Sequence, residues 1–186
     1  MKKNDYVFWK KNINILDSIS FNVYENEIFV ILGESNSGKS VLSKVILNLI
    51  KAQKGSVLFK NKDILKLNYS EMFQMRTKLQ ISFQNPANSL DSHFTVKELI
   101  TEPLIVHKIF NKTKDNEYLY QILSVVDLND DCLNKNINQL TPLEQQKVML
   151  ARVIYLKPHF IVADEPIFNI EENKHDEIIN LLIKIK

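Results

Sequence analysis

The segment Gly33–Ser40 fills the pattern G-x-x-x-x-G-K-[ST], which restricts the folds open to this chain. The apolar run 28–32 before it predicts a buried strand, and the apolar spacing across 40–50 predicts an amphipathic helix. A strand, a tight turn and a helix N-terminus form an anion site, because backbone N–H groups and the positive end of the helix dipole converge there. The segment therefore predicts a site for a nucleoside triphosphate in an α/β fold.

The residues of this loop have separate expected roles. Lys39 is expected to reach the β- and γ-phosphates, and the Ser40 hydroxyl to join a Mg²⁺ shell. The other residues expected around the nucleotide are Gly33, Glu34, Ser35, Asn36, Ser37, Gly38 and Val41. The alternative is a chance match in an ordinary strand–helix turn, which the flanking pattern disfavours.

Composition narrows the class of protein. The 186 residues, 45% apolar and 25% charged, suit one globular domain, and a net charge of +2 gives no argument for a nucleic-acid partner. The single cysteine, Cys132, excludes an internal disulfide and is interpreted as a small apolar filler. No run approaches the ~20 apolar residues that cross a bilayer, and no apolar segment follows the basic N-terminus as in a secretory leader. A chain of this kind would work at a membrane only by docking on another subunit.

The remaining pattern is that of an α/β core interrupted by helices. The predicted strands cover 19–23, 28–32, 56–59, 79–83 and 160–163. Residues from about 94 to 139 are predicted to be mostly helical, and helical spacing returns over 171–185. This places a helical insert between Gln84 and Leu140.

Two carboxylates follow the apolar strand 160–163. Asp164 can hold Mg²⁺ through water, because a hard cation prefers oxygen ligands, and Glu165 can act as a general base toward water. Ligands of open α/β sheets bind at the carboxyl ends of strands, so this tip is expected to meet the Gly33–Ser40 loop. The alternative is a pair of solvated acids where a strand leaves the sheet.

These motifs, in this order, resemble the ATP-binding subunits of ABC transporters. The order is the loop 33–40, Gln84 after a strand, the helical insert, and then Asp164-Glu165-Pro166. One branch is especially similar, the ATPases of oligopeptide, dipeptide and nickel importers, on the strength of Phe83–Leu90, Thr95-Val96 and Glu102-Pro103-Leu104. The resemblance covers roughly residues 15–183.

The resemblance implies a P-loop NTPase fold of ABC type, an α/β fold with a mixed sheet core and a helical subdomain inserted between Gln84 and Leu140. The expected single domain, 1–186, divides into a RecA-like core at about 1–84 and 158–186 and a helical subdomain at about 85–157. It is expected to lack the C-terminal part of the family's domain.

The resemblance also implies ATP and Mg²⁺ as cofactors. Gln84 would sense the metal and the γ-phosphate, so the expected metal ligands are Ser40, Gln84 and Asp164, and the expected catalytic residues are Glu165, Lys39 and Gln84. Trp9 is the first candidate for stacking on adenine, followed by Phe8 and Tyr6. An ordinary core or surface aromatic is the alternative for each.

The implied partners are a second ABC ATPase subunit, in a homo- or heterodimer, and membrane permease subunits that connect to an extracytoplasmic solute-binding protein. The chain is then expected to be cytoplasmic and peripheral on the inner face of the membrane, without nucleic acid. Two alternatives remain: a non-catalytic nucleotide-binding or interaction module, or remnant, and a soluble ABC ATPase of DNA repair or translation.

The chain departs from the family at the signature L-S-G-G-Q. The aligned residues are Leu140-Thr141-Pro142-Leu143-Glu144, so both signature glycines, which approach the partner subunit's ATP in the family, are replaced. Thr141 predicts a helix N-cap, Pro142 the first helical position and Glu144 the third, as in a capping box. This predicts a well-specified helix start whose anion site is lost.

Other departures are smaller. Asn36 stands where the family's loop has a third glycine, and Asn tolerates the left-handed conformation. Residues 167–171 replace the family's T/V-S-A-L-D, so communication between the subunits of a dimer is expected to be impaired. The family's switch histidine is expected to be absent, because the sequence ends at Lys186, and His175 is expected on a solvated helix face.

Overall fold

The computed structural model describes residues 15–186. Its helices are α1 (Lys39–Ile46), α2 (Tyr69–Met75), α3 (Pro86–Ser89), α4 (Val96–Val106), α5 (Lys112–Val125), α6 (Pro142–Tyr155) and α7 (His175–Lys184). Its strands are β1 (Leu58–Phe59), β2 (Lys62–Asp63), β3 (Leu79–Ser82) and β4 (Phe160–Ala163). Short 3₁₀ turns cover Ile64–Lys66, Asp130–Asn134, Ile137–Gln139 and Glu172–Lys174.

The strands form two small sheets. β1 and β2 are antiparallel, whereas β3 and β4 are parallel, with Leu79 opposite Phe160 and Ser82 opposite Ala163. Because the parallel strands run in register, their carboxyl ends lie at one edge of the sheet. Gln84 and the Asp164-Glu165 pair leave the sheet at that edge.

The larger hydrophobic core belongs to the helical insert and the helices that flank it. Helix α6 packs against both α4 and α5. Residues of these helices that are at most 1% exposed include Val96, Leu99, Ile100, Leu119, Val148 and Leu150. Arg152 of α6 also donates to the carbonyl of Leu99 and pairs with Glu102, which fixes α6 against α4. The helical insert expected between Gln84 and Leu140 is confirmed.

Two predicted strands, 19–23 and 28–32, are wrong. Neither segment pairs with any described residue, and the side chains of Val30 and Leu32 are 66% and 88% exposed. The backbone N–H and C=O groups of a strand need hydrogen bonds from a neighbouring strand. Among the described residues, β3 and β4 form a two-stranded sheet with each other and take in neither segment. Phe21 and Phe29 stack at 5.0 Å between ring centroids, so the two segments nevertheless touch.

Other boundaries also shift. Helix α1 stops at Ile46 instead of continuing to residue 50, because Asn48 takes a left-handed φ of 51° and its amide donates to the Ile64 carbonyl. Strand β1 is limited to Leu58–Phe59, and β3 ends one residue before Phe83. At the C-terminal end, α7 begins only at His175, after a 3₁₀ turn.

Candidate functional site

The Gly33–Ser40 loop curls around its own lysine. The Lys39 ammonium donates to the carbonyls of Gly33 and Glu34, each at 2.8 Å, and Ser37 N–H donates to the Glu34 carbonyl at 3.3 Å. Gly38 has a φ of 96°, and a Cβ there would lie 3.1 Å from the side chain of Ile15. This closed turn is a cradle that leads directly into α1.

Asn36 behaves as expected for a residue that replaces glycine. Its φ is 64°, in the left-handed region that asparagine tolerates better than most residues. The side chains from Glu34 to Ser37 are exposed, whereas Val41 is half-buried in α1. The polar side chains of the loop are therefore open to solvent.

The phosphate loop, Gly33–Ser40, meets the carboxylate strand, which is β4 with the Asp164 that follows it. The contact is made by Ser40. Its hydroxyl donates to Asp164 Oδ1 at 3.0 Å, and Asp164 is only 6% exposed. The Asp164 backbone N–H donates to the Ser82 carbonyl at 2.9 Å, which holds the carboxylate at the sheet edge. The expected meeting of Asp164 with the loop is therefore present.

Gln84 and Glu165 form a second pair at the same edge. Gln84 Nε2 donates to Glu165 Oε2 at 2.5 Å, and both side chains are half-buried. Glu165 takes a left-handed φ of 46°, and its carbonyl accepts the Phe168 N–H at 2.9 Å in the turn that follows. A non-glycine residue in this conformation costs on the order of 1 kcal/mol, and such strain is often found where a side chain must be aimed.

The donor set is suited to a hard cation. Asp164 and Ser40, which are in direct contact, offer a carboxylate and a hydroxyl, and Gln84, paired with the neighbouring Glu165, offers an amide oxygen. Within residues 15–186, no three His, Cys, Asp or Glu side chains come together as metal ligands. Oxygen donors with a single carboxylate fit Mg²⁺ that also takes phosphate oxygens and water.

The start of α6 is capped as predicted. Thr141 Oγ1 accepts the Glu144 N–H at 3.3 Å, and Glu144 Oε2 accepts from the Thr141 N–H and hydroxyl at 2.8 Å each. These bonds, first of all that from the Thr141 backbone, lower the pKa of Glu144, so the carboxylate is charged at neutral pH. Pro142 occupies the first helical position and brings no N–H. This helix start therefore carries its own anion.

Some sequence expectations have other outcomes. Trp9, Phe8 and Tyr6 lie outside the described residues. His175 is half-buried with a ring nitrogen 2.8 Å from the Ile170 carbonyl, so its expected place on a solvated face is wrong. Cys132 is 2% exposed, as expected of an apolar filler.

Sequence reasoning missed one contact beside the site. Gln146 Nε2 of α6 donates to Ser82 Oγ of β3 at 3.1 Å, and both residues are buried. The available signal was a polar residue at a position where the helical spacing calls for an apolar one. The polar residue at this position indicates a contact only once β3 is known to lie beside it.

Comparison with known proteins gives the family. A sequence model described as ABC transporter matches residues 16–168, most of the chain. The chain belongs to the ABC transporter family. Within residues 15–186, no helix of this ABC protein combines the length and apolar character needed to cross a bilayer.

Curated relatives point to one branch of the family. The oligopeptide transport ATP-binding protein OppF of Streptococcus mutans is 35% identical over 94% of this chain and 57% of its own length. The dipeptide transport ATP-binding protein DppF of Lactococcus lactis subsp. cremoris is 33% identical over 95% of this chain and 58% of its own length. The chain thus spans a little over half the length of these relatives. The resemblance to peptide-importer ATP-binding subunits is confirmed.

Solved structures agree on the fold. The dimeric cassette MJ0796, bound to ADP and Pi, superposes with a TM-score of 0.83 at 27% identity, over 95% of this chain and 77% of that one. CbiO1 from Clostridium perfringens gives a TM-score of 0.80 at 24% identity, over 92% of this chain and 66% of that one, which is evidence for the fold alone. The expected P-loop NTPase fold of ABC type is confirmed.

Proposed function

We propose that this chain binds ATP with Mg²⁺ and hydrolyses it as the ATPase subunit of an ABC importer for peptides or nickel-type solutes. The observation that carries the proposal is the Ser40–Asp164 hydrogen bond, which joins the phosphate loop to the carboxylate strand. The names of the peptide-transport relatives support the solute class.

In this proposal the phosphates lie in the Gly33–Ser40 cradle. Lys39 exchanges its contacts with the loop carbonyls for the β- and γ-phosphate oxygens, and the N-terminus of α1 adds its dipole. Mg²⁺, held by Ser40, Gln84 and Asp164, would neutralise the charge on the phosphate oxygens. Val41 and the aromatic candidate Trp9 are proposed to contact the rest of the nucleotide.

Glu165 is the proposed general base. It accepts a proton from the water that attacks the γ-phosphorus. The bond between the γ-phosphorus and the β,γ-bridging oxygen breaks, which releases ADP and phosphate. Gln84 donates to this carboxylate, which supports the proposal that it orients the same water.

The start of α6 bears on the proposed partner. In the family resemblance this helix start faces the ATP of the second subunit, and here it carries the ionised Glu144 and the N–H-free Pro142. We therefore propose a heterodimer in which the partner's intact signature completes this chain's ATP site. We also propose that the chain binds permease subunits at the inner face of the membrane. A solute-binding protein would be its indirect partner through these permeases.

Calorimetric titration with MgATP tests the binding step. Wild type, Lys39→Ala and the matched control Lys44→Ala, on the same helix, are compared after thermal melts show cooperative folding. Saturable binding by wild type and the control, lost in Lys39→Ala, is expected. A folded wild-type chain that binds no MgATP would contradict the proposal, and binding without phosphate release in the presence of the partner ATPase would leave a nucleotide-binding module.

A further inference from the structure

A buried hydrogen bond joins helix α6 to the strand that leads into the candidate site. Gln146 Nε2 donates to Ser82 Oγ at 3.1 Å, and the two residues are 2% and 0% exposed. An amide and a hydroxyl buried in this way must each lose water, and the hydrogen bond returns little net free energy beyond that cost. Two apolar residues of similar volume would pack this contact with less desolvation, so the polar pair calls for another explanation.

Ser82 extends the contact toward the site. It is the last residue of β3, and its carbonyl accepts the Asp164 N–H at 2.9 Å. Asp164 Oδ1 in turn accepts the Ser40 hydroxyl at 3.0 Å. Three hydrogen bonds therefore run in sequence from α6 through the tips of β3 and β4 to the first turn of α1.

The position of Gln146 along α6 adds to this arrangement. It lies one turn beyond the cap formed by Thr141 and Glu144. The neighbouring Gln145 bonds elsewhere, to the carbonyls of Ile137 and Leu140, each at 3.1 Å. Of the two adjacent glutamines, Gln146 is thus the one directed at the strand tip.

We propose that Gln146 is a positioning residue for the cation-binding part of the nucleotide site. Through Ser82 it sets the place of the β3 tip, and so the distance between the Asp164 carboxylate and Ser40. The inference rests on the proposed role of Ser40 and Asp164 toward Mg²⁺. It adds a residue of α6, outside the phosphate loop and the carboxylate strand, to the machinery of the site.

The test compares Gln146→Leu, Ser82→Ala and the double variant with wild type. ATP affinity is measured by calorimetry with excess Mg²⁺ and with EDTA, and the ratio of the two dissociation constants gives the enhancement by Mg²⁺. Loss of a residue that orients a metal ligand typically weakens metal affinity about 10-fold or more. We expect Gln146→Leu to lower the enhancement about 10-fold and to leave ATP affinity in EDTA unchanged.

The double variant separates positioning from packing. Gln146→Leu alone leaves the Ser82 hydroxyl buried without its donor and lowers the melting temperature, whereas adding Ser82→Ala removes that hydroxyl and raises the melting temperature again. We expect the Mg²⁺ enhancement to stay low in the double variant. If it returns together with the melting temperature, the pair only packs and the inference is overturned.

A control and a ligand-free readout complete the design. Gln145→Leu is expected to lower the melting temperature without changing the enhancement. In the nucleotide-free chain, hydrogen exchange at the Asp164 amide is expected to be roughly 10-fold faster in the double variant than in wild type. Unchanged exchange overturns the inference even if wild type binds no nucleotide, a result that by itself would contradict only the proposed function.

Discussion

Ser40 and Asp164 are 124 positions apart in the sequence, yet the Ser40 hydroxyl donates to Asp164 Oδ1 at 3.0 Å. The contact brings the start of α1 to the carboxyl end of β4. The proposed function assigns these two side chains to the oxygen ligands of Mg²⁺. The consequences of this arrangement can be measured one residue at a time.

Ser40→Ala is expected to weaken MgATP binding about 10-fold while ATP binding in EDTA changes little, because the substitution removes a proposed metal ligand. The loss of its hydrogen bond to Asp164 should also lower the free energy of unfolding by roughly 1 kcal/mol. Isothermal calorimetry and urea unfolding check the two effects. Ser43→Ala is the matched control, since the Ser43 hydroxyl donates only to the Lys39 carbonyl of its own helix. Equal losses in both variants would contradict the assignment.

Glu165→Gln is expected to retain MgATP binding and to lower phosphate release about 100-fold or more in the presence of the partner ATPase, because an amide accepts no proton from water. The substitution keeps the shape of the side chain beside Gln84. Phosphate release and MgATP affinity are measured on the same preparation. Glu172→Gln, at an exposed position seven residues after Glu165, should change neither phosphate release nor MgATP affinity. Full turnover by the Glu165 variant would remove it as general base.

Glu144 is expected to stabilise the chain in a pH-dependent way. Its pKa in the folded state lies below the ordinary value of 4.5, chiefly because the Thr141 backbone N–H binds the charged form. The stabilisation is therefore fully present above that value and is lost as the pH falls through the lower, folded pKa. Melting curves of wild type and Glu144→Gln should differ more at pH 7 than at pH 3. A difference that is constant with pH would show that the charge contributes nothing to the cap.

Substitutions at Leu32 and Leu99 test whether the segment 28–32 is exposed in solution. Leu32 is 88% exposed, so Leu32→Lys should change the free energy of unfolding by less than about 0.5 kcal/mol and raise solubility. Leu99 is 1% exposed between helices of the insert, and Leu99→Ala should cost about 2–5 kcal/mol. Urea unfolding compares them. A loss of several kcal/mol in Leu32→Lys would show that the segment is buried in solution.

The parts of the fold that sequence predicted well are specified locally. The start of α6 follows from Thr141, Pro142 and Glu144 alone, since a capping box needs only residues three positions apart. The same holds for Gly38, whose positive φ begins α1. The helical insert was also predictable, because its spacing repeats over many residues.

The parts that sequence did not predict depend on distant partners. The apolar run 28–32 has the composition of a strand, but pairing is decided by a neighbour, and none of the described residues provides one. The bond between Gln146 and Ser82 spans 64 positions, and no local pattern announces it. At the candidate site, motifs predicted roles for Lys39, Ser40, Asp164 and Glu165, and these roles stay predictions. The pairing of Gln84 with Glu165 joins residues 81 positions apart and follows from no local pattern.

Lys39 also holds its own loop together. Because the carbonyls of Gly33 and Glu34 accept from the Lys39 ammonium, contacts within the loop itself give it a closed shape. An arriving phosphate would replace one set of partners with another and would not have to order a loose segment. The conformational entropy lost on binding is then small, as for any preorganised receptor. Affinity would be governed by how strongly the ammonium prefers phosphate oxygens to peptide oxygens.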